Sequence, residues 1–192
     1  MYKLFARPGW GSAIVEAQLA WYGLPFETDD VDDLFKSAAA RGRLQPANPL
    51  AQVPTLILPD GQVMTESAAI TLHLADVTGR DDLVPGASDT GRPAFLRWLV
   101  FLVANLYPTF TYVDDPARFV TDPAAQPGFV ASVSAYRERL WRQVEETAGA
   151  PWLLGQRSSA LDIYIAVMTR WRPRRAWFNE ACPRLHAIAL RS

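Results

Sequence analysis

The chain has 192 residues, of which 49% are hydrophobic and 20% are charged, a balance typical of a soluble globular protein. With 19 basic and 20 acidic side chains the formal net charge is −1, which excludes bulk attraction to nucleic acid or to an anionic membrane. The longest apolar run, residues 98–104, is far shorter than a bilayer span, and a single cysteine, Cys182, excludes an internal disulfide and fits a reducing compartment.

The first part of the chain carries strand and helix signals in turn. Residues 2–6 form a short apolar run that favours a strand, and Arg7-Pro8-Gly9 closes it with a turn signal. A helix is predicted from Ser12 to Tyr22, because serine is a common helix cap and the following Gly23 favours a left-handed stop. Helical spacing predicts one buried stripe on this helix, formed by Ile14, Ala17 and Trp21 with Val15, Leu19 and Tyr22 beside them.

A second strand, a weaker helix and a hairpin are predicted next. Residues 26–31 favour a strand, and residues 32–44 favour a helix only weakly. Residues 55–58 and 62–65 flank a proline-aspartate-glycine turn, which indicates a hairpin of antiparallel strands. A helix over residues 66–77 completes the order strand, helix, strand, helix, strand, strand, helix.

The remainder of the chain is helical in pattern after a short connecting segment. Residues 79–90, which include Pro85-Gly86, have the composition of a linker. Residues 161–168 are apolar on nearly every side, as is typical of a central buried helix. The sequence therefore predicts an α/β domain over residues 1–78 and an all-helical domain over residues 91–192.

One motif in the α/β part is specific enough to indicate a family. Residues 48–56 read Asn-Pro-Leu-Ala-Gln-Val-Pro-Thr-Leu, then comes the turn Pro59-Asp60-Gly61, and a helix follows from Glu66-Ser67. A proline before a β-run, then a hairpin, then an acid and a serine at a helix start, forms a recess for a small peptide. This arrangement resembles the glutathione-binding half of the glutathione S-transferase family, over nearly the whole chain. The resemblance implies an N-terminal thioredoxin-like α/β domain and an all-α C-terminal domain.

Val53-Pro54 is the centre of this resemblance. The cis form of a bond before proline costs only about 0.5–1 kcal/mol. In thioredoxin-like folds this bond is cis, so the resemblance implies that Val53 pairs antiparallel with the cysteinyl backbone of glutathione. We expect Gln52 to add a contact to the backbone of the ligand. The alternative is a trans Pro54 that begins an ordinary strand.

Glu66 and Ser67 suit the γ-glutamyl end of glutathione, which bears an ammonium and a carboxylate on one carbon. Unpaired N–H groups and the helix dipole favour a carboxylate at the start of the helix, and the Ser67 hydroxyl can donate to the same group. Glu66 offers a counter-charge to the ammonium. The alternative is a plain helix cap, since serine and glutamate are common near helix starts.

Ser12 is the expected catalytic residue. The nucleophile of the family is the glutathione thiolate, and a hydroxyl with helix-end amides lowers the pKa of a thiol. Bacterial beta-class enzymes have Ser-Pro-Gly-Ala-Cys-Ser where this chain has residues 7–12, so their active cysteine falls on Gly11 and the next serine falls on Ser12. A serine-type mechanism is therefore expected, with a plain cap at Ser12 as the alternative.

Four aromatic residues are candidates for an apolar second-substrate site. Tyr107 replaces the histidine that beta-class relatives carry before a proline in the first helix of the second domain. It could contact the second substrate or donate a hydrogen bond to it, or serve only as a buried aromatic. Trp10, Phe110 and Trp171 could line the same site.

The composition and the single cysteine indicate a cytoplasmic protein. The resemblance implies a homodimer that conjugates glutathione, as co-substrate, to a small hydrophobic electrophile. Two alternatives stay open: a non-catalytic glutathione-binding or protein-interaction module, and a glutathione-dependent reductase or peroxidase. Two isolated histidines and one cysteine offer no cluster of metal ligands, so we expect no metal. We expect neither nucleic acid nor a membrane as a partner.

Overall fold

The computed structural model describes residues 1–192, which divide into two units, Met1–Ala87 and Ser88–Ser192. The first unit combines a small sheet with helices, and the second is helical. This architecture confirms the predicted fold class, an α/β thioredoxin-like part followed by an all-α part.

The first unit is built on one four-stranded sheet in the order β2-β1-β3-β4. Its strands are β1 (Tyr2–Ala6), β2 (Phe26–Asp30), β3 (Thr55–Ile57) and β4 (Val63–Met64). Strand β1 runs parallel to β2 and antiparallel to β3, and β3 runs antiparallel to β4. The predicted hairpin is confirmed, with strands shorter than the apolar runs that indicated them.

Three helices accompany the sheet: α1 (Ser12–Tyr22), α2 (Ala38–Leu44) and α3 (Ser67–Thr78). Helices α1 and α3 pack against each other. Each ends at a glycine in the left-handed conformation, Gly23 at φ 67° and Gly79 at φ 63°. A side chain at such a position is strained, so glycine sets both helix ends.

The expectation that Ala17 and Trp21 are buried in α1 is wrong. Trp21 is 50% exposed, and its indole Nε1 donates to Asp82 Oδ2 at 2.6 Å. The buried face of the helix consists of Ile14, Val15, Gln18, Leu19 and Tyr22. The indole thus has a polar surface partner 61 residues away in sequence, which helical periodicity does not reveal.

Helix α2 is shorter than the predicted helix over residues 32–44. The segment before it turns, because Asp33 Oδ1 accepts a hydrogen bond from Phe35 N at 3.0 Å. Ser37 then caps α2 by accepting from Ala40 N at 3.2 Å. Aspartate and serine side chains compete with helical backbone bonds in this way, so the helix begins only at Ala38.

The second unit contains six α-helices and two irregular turns. The helices are α4 (Arg92–Phe101), α5 (Tyr107–Asp114), α6 (Gln126–Thr147), α7 (Ala160–Met168), α8 (Arg175–Ala181) and α9 (Pro183–Arg191). A π-helical turn, Leu102–Leu106, joins α4 to α5, and a 3₁₀ turn, Pro116–Arg118, follows α5. The expected central helix is confirmed, since α7 buries Leu161, Tyr164, Ile165 and Met168.

The π-helical turn has a cause in Pro108. In a regular α-helix the ring of Pro108 would clash with the carbonyl of Ala104, four residues earlier, and the missing N–H would break the ladder. Widening the turn over Leu102–Leu106 separates these groups and lets the helical path continue into α5.

Residues Arg92–Asp114 make 23 consecutive helical residues that are apolar and long enough to cross a membrane by length and composition alone. The longest uninterrupted apolar run suggested no such segment. In the structure α4 contacts α7 and α5 contacts α6, and 39% of the most apolar window of this segment is buried within the fold.

Candidate functional site

The sheet brings three distant segments of the first unit to one end. Strand β1 ends there, β3 begins there and β4 ends there, because Phe5 pairs with Thr55 and Leu56 pairs with Met64. The residues just beyond these strand ends are therefore neighbours. They are the turn over residues 7–12, Val53-Pro54 and Glu66-Ser67, which hold the residues that the sequence predicted for ligand binding and catalysis.

Val53 presents an unpaired main chain at this end of the sheet. The Val53-Pro54 bond is cis, as expected. The Val53 side chain is buried in a cluster with Phe5 and Val31. The N–H and C=O of Val53 form no hydrogen bond within the chain. A buried side chain with free main-chain groups is the arrangement to which an extended peptide adds as a further strand.

Two polar residues fix the chain just before Val53. The side-chain amide of buried Asn48 donates to Gln52 O and to Thr55 Oγ1, both at 3.0 Å, and Thr55 Oγ1 donates to Gln52 O at 2.7 Å. The carbonyl of Gln52 is therefore occupied, while its side chain is exposed to solvent. No role was predicted for Asn48 or Thr55; Asn48 before a proline is the only signal of theirs in the sequence.

The start of α3 places free hydrogen-bond donors beside the carboxylate of Glu66. The first backbone bond of the helix runs from Ile70 N to Glu66 O, so the N–H groups of Ser67, Ala68 and Ala69 lack helical acceptors. Ser67 is buried, its carbonyl oxygen accepts a hydrogen bond from Thr71 Oγ1 at 2.9 Å, and its hydroxyl forms no hydrogen bond in the chain. Glu66 is exposed and lies at φ 64°, a conformation that is strained for any residue except glycine.

Ser12 is more constrained than the sequence suggested. It is 1% exposed, and its Oγ accepts from Arg7 N at 3.0 Å and donates to Arg7 O at 3.2 Å. The hydroxyl thus closes the turn between β1 and α1. Gly11 occupies the capping position, without a side chain to bond the helix. The N–H groups of Gly11 and Ser12 remain without acceptors in the chain, so the start of α1 also offers free amides.

Arg7 and Trp10 form one wall of this turn. The Arg7 guanidinium lies 5.2 Å from the Trp10 ring, donates to Val31 O at 3.3 Å and lies 3.4 Å from Asp32 Oδ1. The Trp10 ring in turn lies 5.1 Å from the Phe35 ring. Trp10 is therefore held in place by a cation and an aromatic ring, with part of its surface exposed.

The helical unit brings together the other three predicted aromatic residues. The Trp171 ring meets Tyr107 edge-on at 5.3 Å and Phe110 edge-on at 4.9 Å. Phe110 is buried, whereas Tyr107 and Trp171 keep part of their surface exposed. These two side chains are therefore the accessible members of the group, and Phe110 supports them from below.

Arg137 packs against Phe110 of this group, and no pattern in the sequence indicated that it is buried. It is 3% exposed, its guanidinium lies 4.9 Å from the Phe110 ring, and its Nη1 donates to Thr109 O at 3.5 Å. Its Nε has no hydrogen-bond partner, and burial lowers the pKa of the guanidinium. An arginine within a long amphipathic helix is ordinarily a surface residue, which is why its burial was missed.

The comparisons with known proteins match the part of the chain that contains this candidate site. The family model for the glutathione S-transferase N-terminal domain matches residues 12–77, which include α1, β2, the Val53-Pro54 segment and α3. The uncharacterized GST-like protein YncG of Escherichia coli (strain K12) is 39% identical over 191 residues, covering 98% of this chain and 91% of its own. The glutathione S-transferase GstA of Escherichia coli O157:H7 is 30% identical over 170 residues, covering 88% of this chain and 81% of its own.

Solved structures extend the similarity over the whole chain. The structure of a sphingomonad glutathione S-transferase complexed with glutathione superposes with a TM-score of 0.70 and 29% identity. The match covers 98% of this chain and 91% of the sphingomonad chain. The similarity is therefore not confined to the sheet and its motif but includes the helical unit.

Proposed function

Because the chain belongs to the glutathione S-transferase family, we propose that it binds glutathione at the end of its sheet and transfers the thiol to a small hydrophobic electrophile. The observation that carries the proposal is the unpaired main chain of Val53 beside the free amides at the starts of α1 and α3. Those groups match the backbone, the thiol and the γ-glutamyl carboxylate of one tripeptide.

The peptide would be held from both ends of its γ-glutamyl-cysteinyl half. Val53 N–H and C=O pair with the cysteinyl backbone, in the manner of an added strand. The γ-glutamyl carboxylate accepts from Ser67 Oγ and from the free amides of α3, and the exposed Glu66 carboxylate pairs with the ammonium. Gln52 adds a side-chain contact, since its carbonyl is already bonded to Asn48.

The thiol would lie at the start of α1. The free amides of Gly11 and Ser12, with the positive end of the helix dipole, favour the thiolate and lower the pKa of the thiol. The Ser12 hydroxyl joins them when its proton turns from Arg7 O to sulfur. The thiol proton passes to water, the sulfur lone pair forms a bond to the electrophilic carbon, and the displaced electron pair leaves with the departing group or enters the acceptor.

An aromatic surface would hold the electrophile. Tyr107 and Trp171, backed by Phe110, provide such a surface in the helical unit, and Trp10 provides another in the first unit. As in the family generally, we propose that the protein acts as a homodimer in the cytoplasm.

A second function, glutathione binding without turnover, is favoured by the Ser12 geometry. The hydroxyl is buried and already bonded twice to Arg7, so only main-chain amides would stabilise the thiolate unless the turn rearranges. In that case the protein would be a non-catalytic glutathione-binding or protein-interaction module of the same fold.

Two measurements separate these functions. Isothermal titration with glutathione tests binding, and the rate of conjugation with a chlorodinitrobenzene tests transfer. We expect saturable binding together with a conjugation rate above that of glutathione alone. Binding without turnover on several electrophile classes would establish the module instead, and the absence of glutathione binding would overturn both.

A further inference from the structure

The turn between α7 and α8 is strongly basic. Residues 170–175 read Arg-Trp-Arg-Pro-Arg-Arg, and no acidic residue lies between Asp162 and Glu180. The proposed function uses only Trp171 from this turn, as part of the surface that holds the electrophile. The four arginines around Trp171 have no role in glutathione binding or in the transfer step described above.

This turn has a fixed structure. Arg175 is partly buried, and its Nη2 donates to Ala166 O at 3.3 Å and to Ala189 O at 2.9 Å, which ties the start of α8 to α7 and α9. Arg174 is held at φ 76°, a strained conformation for a residue with a side chain. The other three arginines of the turn, those at positions 170, 172 and 174, are exposed. The fold therefore presents cations to solvent beside Trp171.

Arg172 extends from this turn to the helix that carries the rest of the aromatic group. Its Nη2 lies 3.5 Å from Asp114 Oδ1, and its side chain is 65% exposed. Asp114 ends α5 and lies four residues after Phe110, so the two residues share one face of the helix. Phe110 in turn contacts Trp171. A long, exposed ion pair is weak, and a guanidinium with five N–H donors has others available for a ligand.

A second cation lies beneath the aromatic group. Burial lowers the pKa of the Arg137 guanidinium, and the nearby charge of Arg172 lowers it further, so the two cations are close together. Asp114 and Glu138 act in the opposite direction, but Glu138 is paired with Arg142 at 3.5 Å. Three guanidinium groups therefore face two carboxylates around the aromatic group, and this excess of positive charge favours an anionic ligand.

From these observations we propose that the electrophile bound by Tyr107 and Trp171 carries a carboxylate, and that Arg172 binds this carboxylate. The inference rests on the proposed transfer function and specifies its second substrate as an acid with an apolar body. An arginine fork matches a carboxylate with two parallel hydrogen bonds. Because the acid is held at one end, the electrophilic carbon has a defined position, which an apolar surface alone does not give.

A chloronitrobenzoate is a suitable probe, because it joins an activated ring carbon to a carboxylate. The glutathione sulfur forms a bond to the ring carbon that bears chlorine, the carbon–chlorine bond breaks, and chloride leaves with its electron pair while the thiol proton passes to water. The carboxylate itself is unchanged. The corresponding chloronitrobenzamide is the neutral counterpart. Dividing the kcat/KM of each compound by its uncatalysed rate constant with glutathione removes the difference in intrinsic reactivity.

We expect the wild-type protein to accelerate the benzoate about tenfold more than the benzamide, and Arg172→Gln to lose most of this preference. Arg172→Lys keeps the charge without the fork, so it should restore part of the preference. Asp114→Asn removes the carboxylate that competes for Arg172 and should raise the kcat/KM of the benzoate. The affinity for glutathione, measured by calorimetry, should be the same in Arg172→Gln as in the wild-type protein.

Arg97→Gln is the matched control, because it removes an exposed guanidinium that stacks on Trp98 at 4.4 Å in α4. It should keep the wild-type preference, and circular dichroism confirms that every variant is folded. Equal acceleration of both compounds by the wild-type protein, or an unchanged preference in Arg172→Gln, would overturn the inference and leave the transfer function standing. A fall in glutathione affinity in Arg172→Gln would also overturn it, because Arg172 would then contact glutathione. Turnover of neither compound would overturn the transfer function itself, and the inference with it.

Discussion

The Ser12 hydroxyl oxygen lies 3.0 Å from the amide nitrogen of Arg7 and 3.2 Å from its carbonyl oxygen, so one side chain closes the turn between β1 and α1. The residue expected to donate a hydrogen bond to the glutathione sulfur thus also stabilises this turn of the fold. Any measurement on Ser12 must separate these two roles.

Replacement of Ser12 by alanine should lower both stability and reactivity. Loss of the two bonds to Arg7 should reduce the free energy of unfolding by about 1–3 kcal/mol, measured by urea denaturation. If the hydroxyl also donates to sulfur, the pKa of bound glutathione should rise by about one unit, equivalent to about 1.4 kcal/mol. The thiolate absorbance of the complex, titrated against pH, measures this shift.

An unchanged thiol pKa in Ser12→Ala, with reduced stability, would assign Ser12 to the turn alone. Thiolate formation would then rest on the amides of Gly11 and Ser12, which the substitution leaves in place. Ser12→Thr serves as the companion variant, because it keeps a hydroxyl and should restore most of the thiol pKa if the donor matters.

Ser67→Ala should weaken glutathione binding while leaving the fold nearly unchanged. The Ser67 hydroxyl has no partner in the chain, so its loss removes a donor to the ligand and nothing from the fold. A hydrogen bond to a charged group contributes about 1.5–3 kcal/mol, so affinity should fall about tenfold or more by calorimetry.

Ser37→Ala is the control for this experiment. Ser37 caps α2 by accepting from Ala40 N, so its replacement should cost stability and not affinity. The opposite pattern, with Ser67→Ala destabilised and its affinity retained, would reduce Ser67 to a structural residue.

Glu66→Gly should make the protein more stable and a poorer binder. Glu66 is held at φ 64°, where a side chain is strained by about 1–3 kcal/mol and glycine is not. Thermal unfolding should therefore move to higher temperature, while loss of the carboxylate weakens binding of the γ-glutamyl ammonium. Glu66→Ala removes the same carboxylate and keeps the backbone strain, so it should lose affinity without gaining stability. Equal stability of the two variants would argue against strain at this position.

Cys182 should be unreactive in the folded protein at neutral pH. Burial, with a smaller contribution from Glu145, raises the pKa of its thiol to about 12 from 9.0. The thiol is therefore protonated below the folded pKa, and between these two pKa values stability falls as pH rises. Iodoacetamide should label Cys182 only in denaturant, and Cys182→Ala should conjugate glutathione at the wild-type rate. Rapid labelling of the native protein would contradict the buried placement.

Arg137→Met should preserve or increase stability. The guanidinium is buried with one long bond to Thr109 O and an unpaired Nε, and burial lowers its pKa, so its desolvation is poorly compensated. Methionine keeps the length of the side chain and its packing on Phe110. Denaturant unfolding measures the change. A loss above about 2 kcal/mol would mean that the stacking on Phe110 outweighs the cost of burying the charge.

Local chemistry explains which features of the fold were predictable. Gly23 and Gly79 end their helices because of a conformational preference that each glycine carries by itself. The cis bond between Val53 and Pro54 was predictable from a motif of nearby residues. In contrast, the exposure of Trp21 depends on Asp82, and the burial of Arg137 depends on Phe110 in another helix. Pattern within one element cannot reveal such partners.

The residues of the candidate site likewise include some that the sequence could identify and some that it could not. Glu66 and Ser67 could be identified because a helix start has its own sequence signature. The bonds from Asn48 to Gln52 and Thr55 could not, since an asparagine before a proline also fits an ordinary turn. The two hydrogen bonds between the Ser12 hydroxyl and the Arg7 backbone could not be predicted either, because they depend on how tightly the turn folds back.

The widened turn before Pro108 has a consequence for the aromatic group of the helical unit. Each residue of an α-helix advances the direction of the side chains by about 100°. A π-helical turn takes in one more residue than an α-helical turn, so removing one residue from Leu102–Leu106 would bring the ring of Pro108 back against a carbonyl of the preceding turn. The position of Tyr107 and Phe110 against Trp171 would change, although no aromatic side chain had been altered. The shape of this surface is therefore governed by the number of residues upstream as much as by their chemistry, and a one-residue insertion or deletion there could re-aim it in a single step.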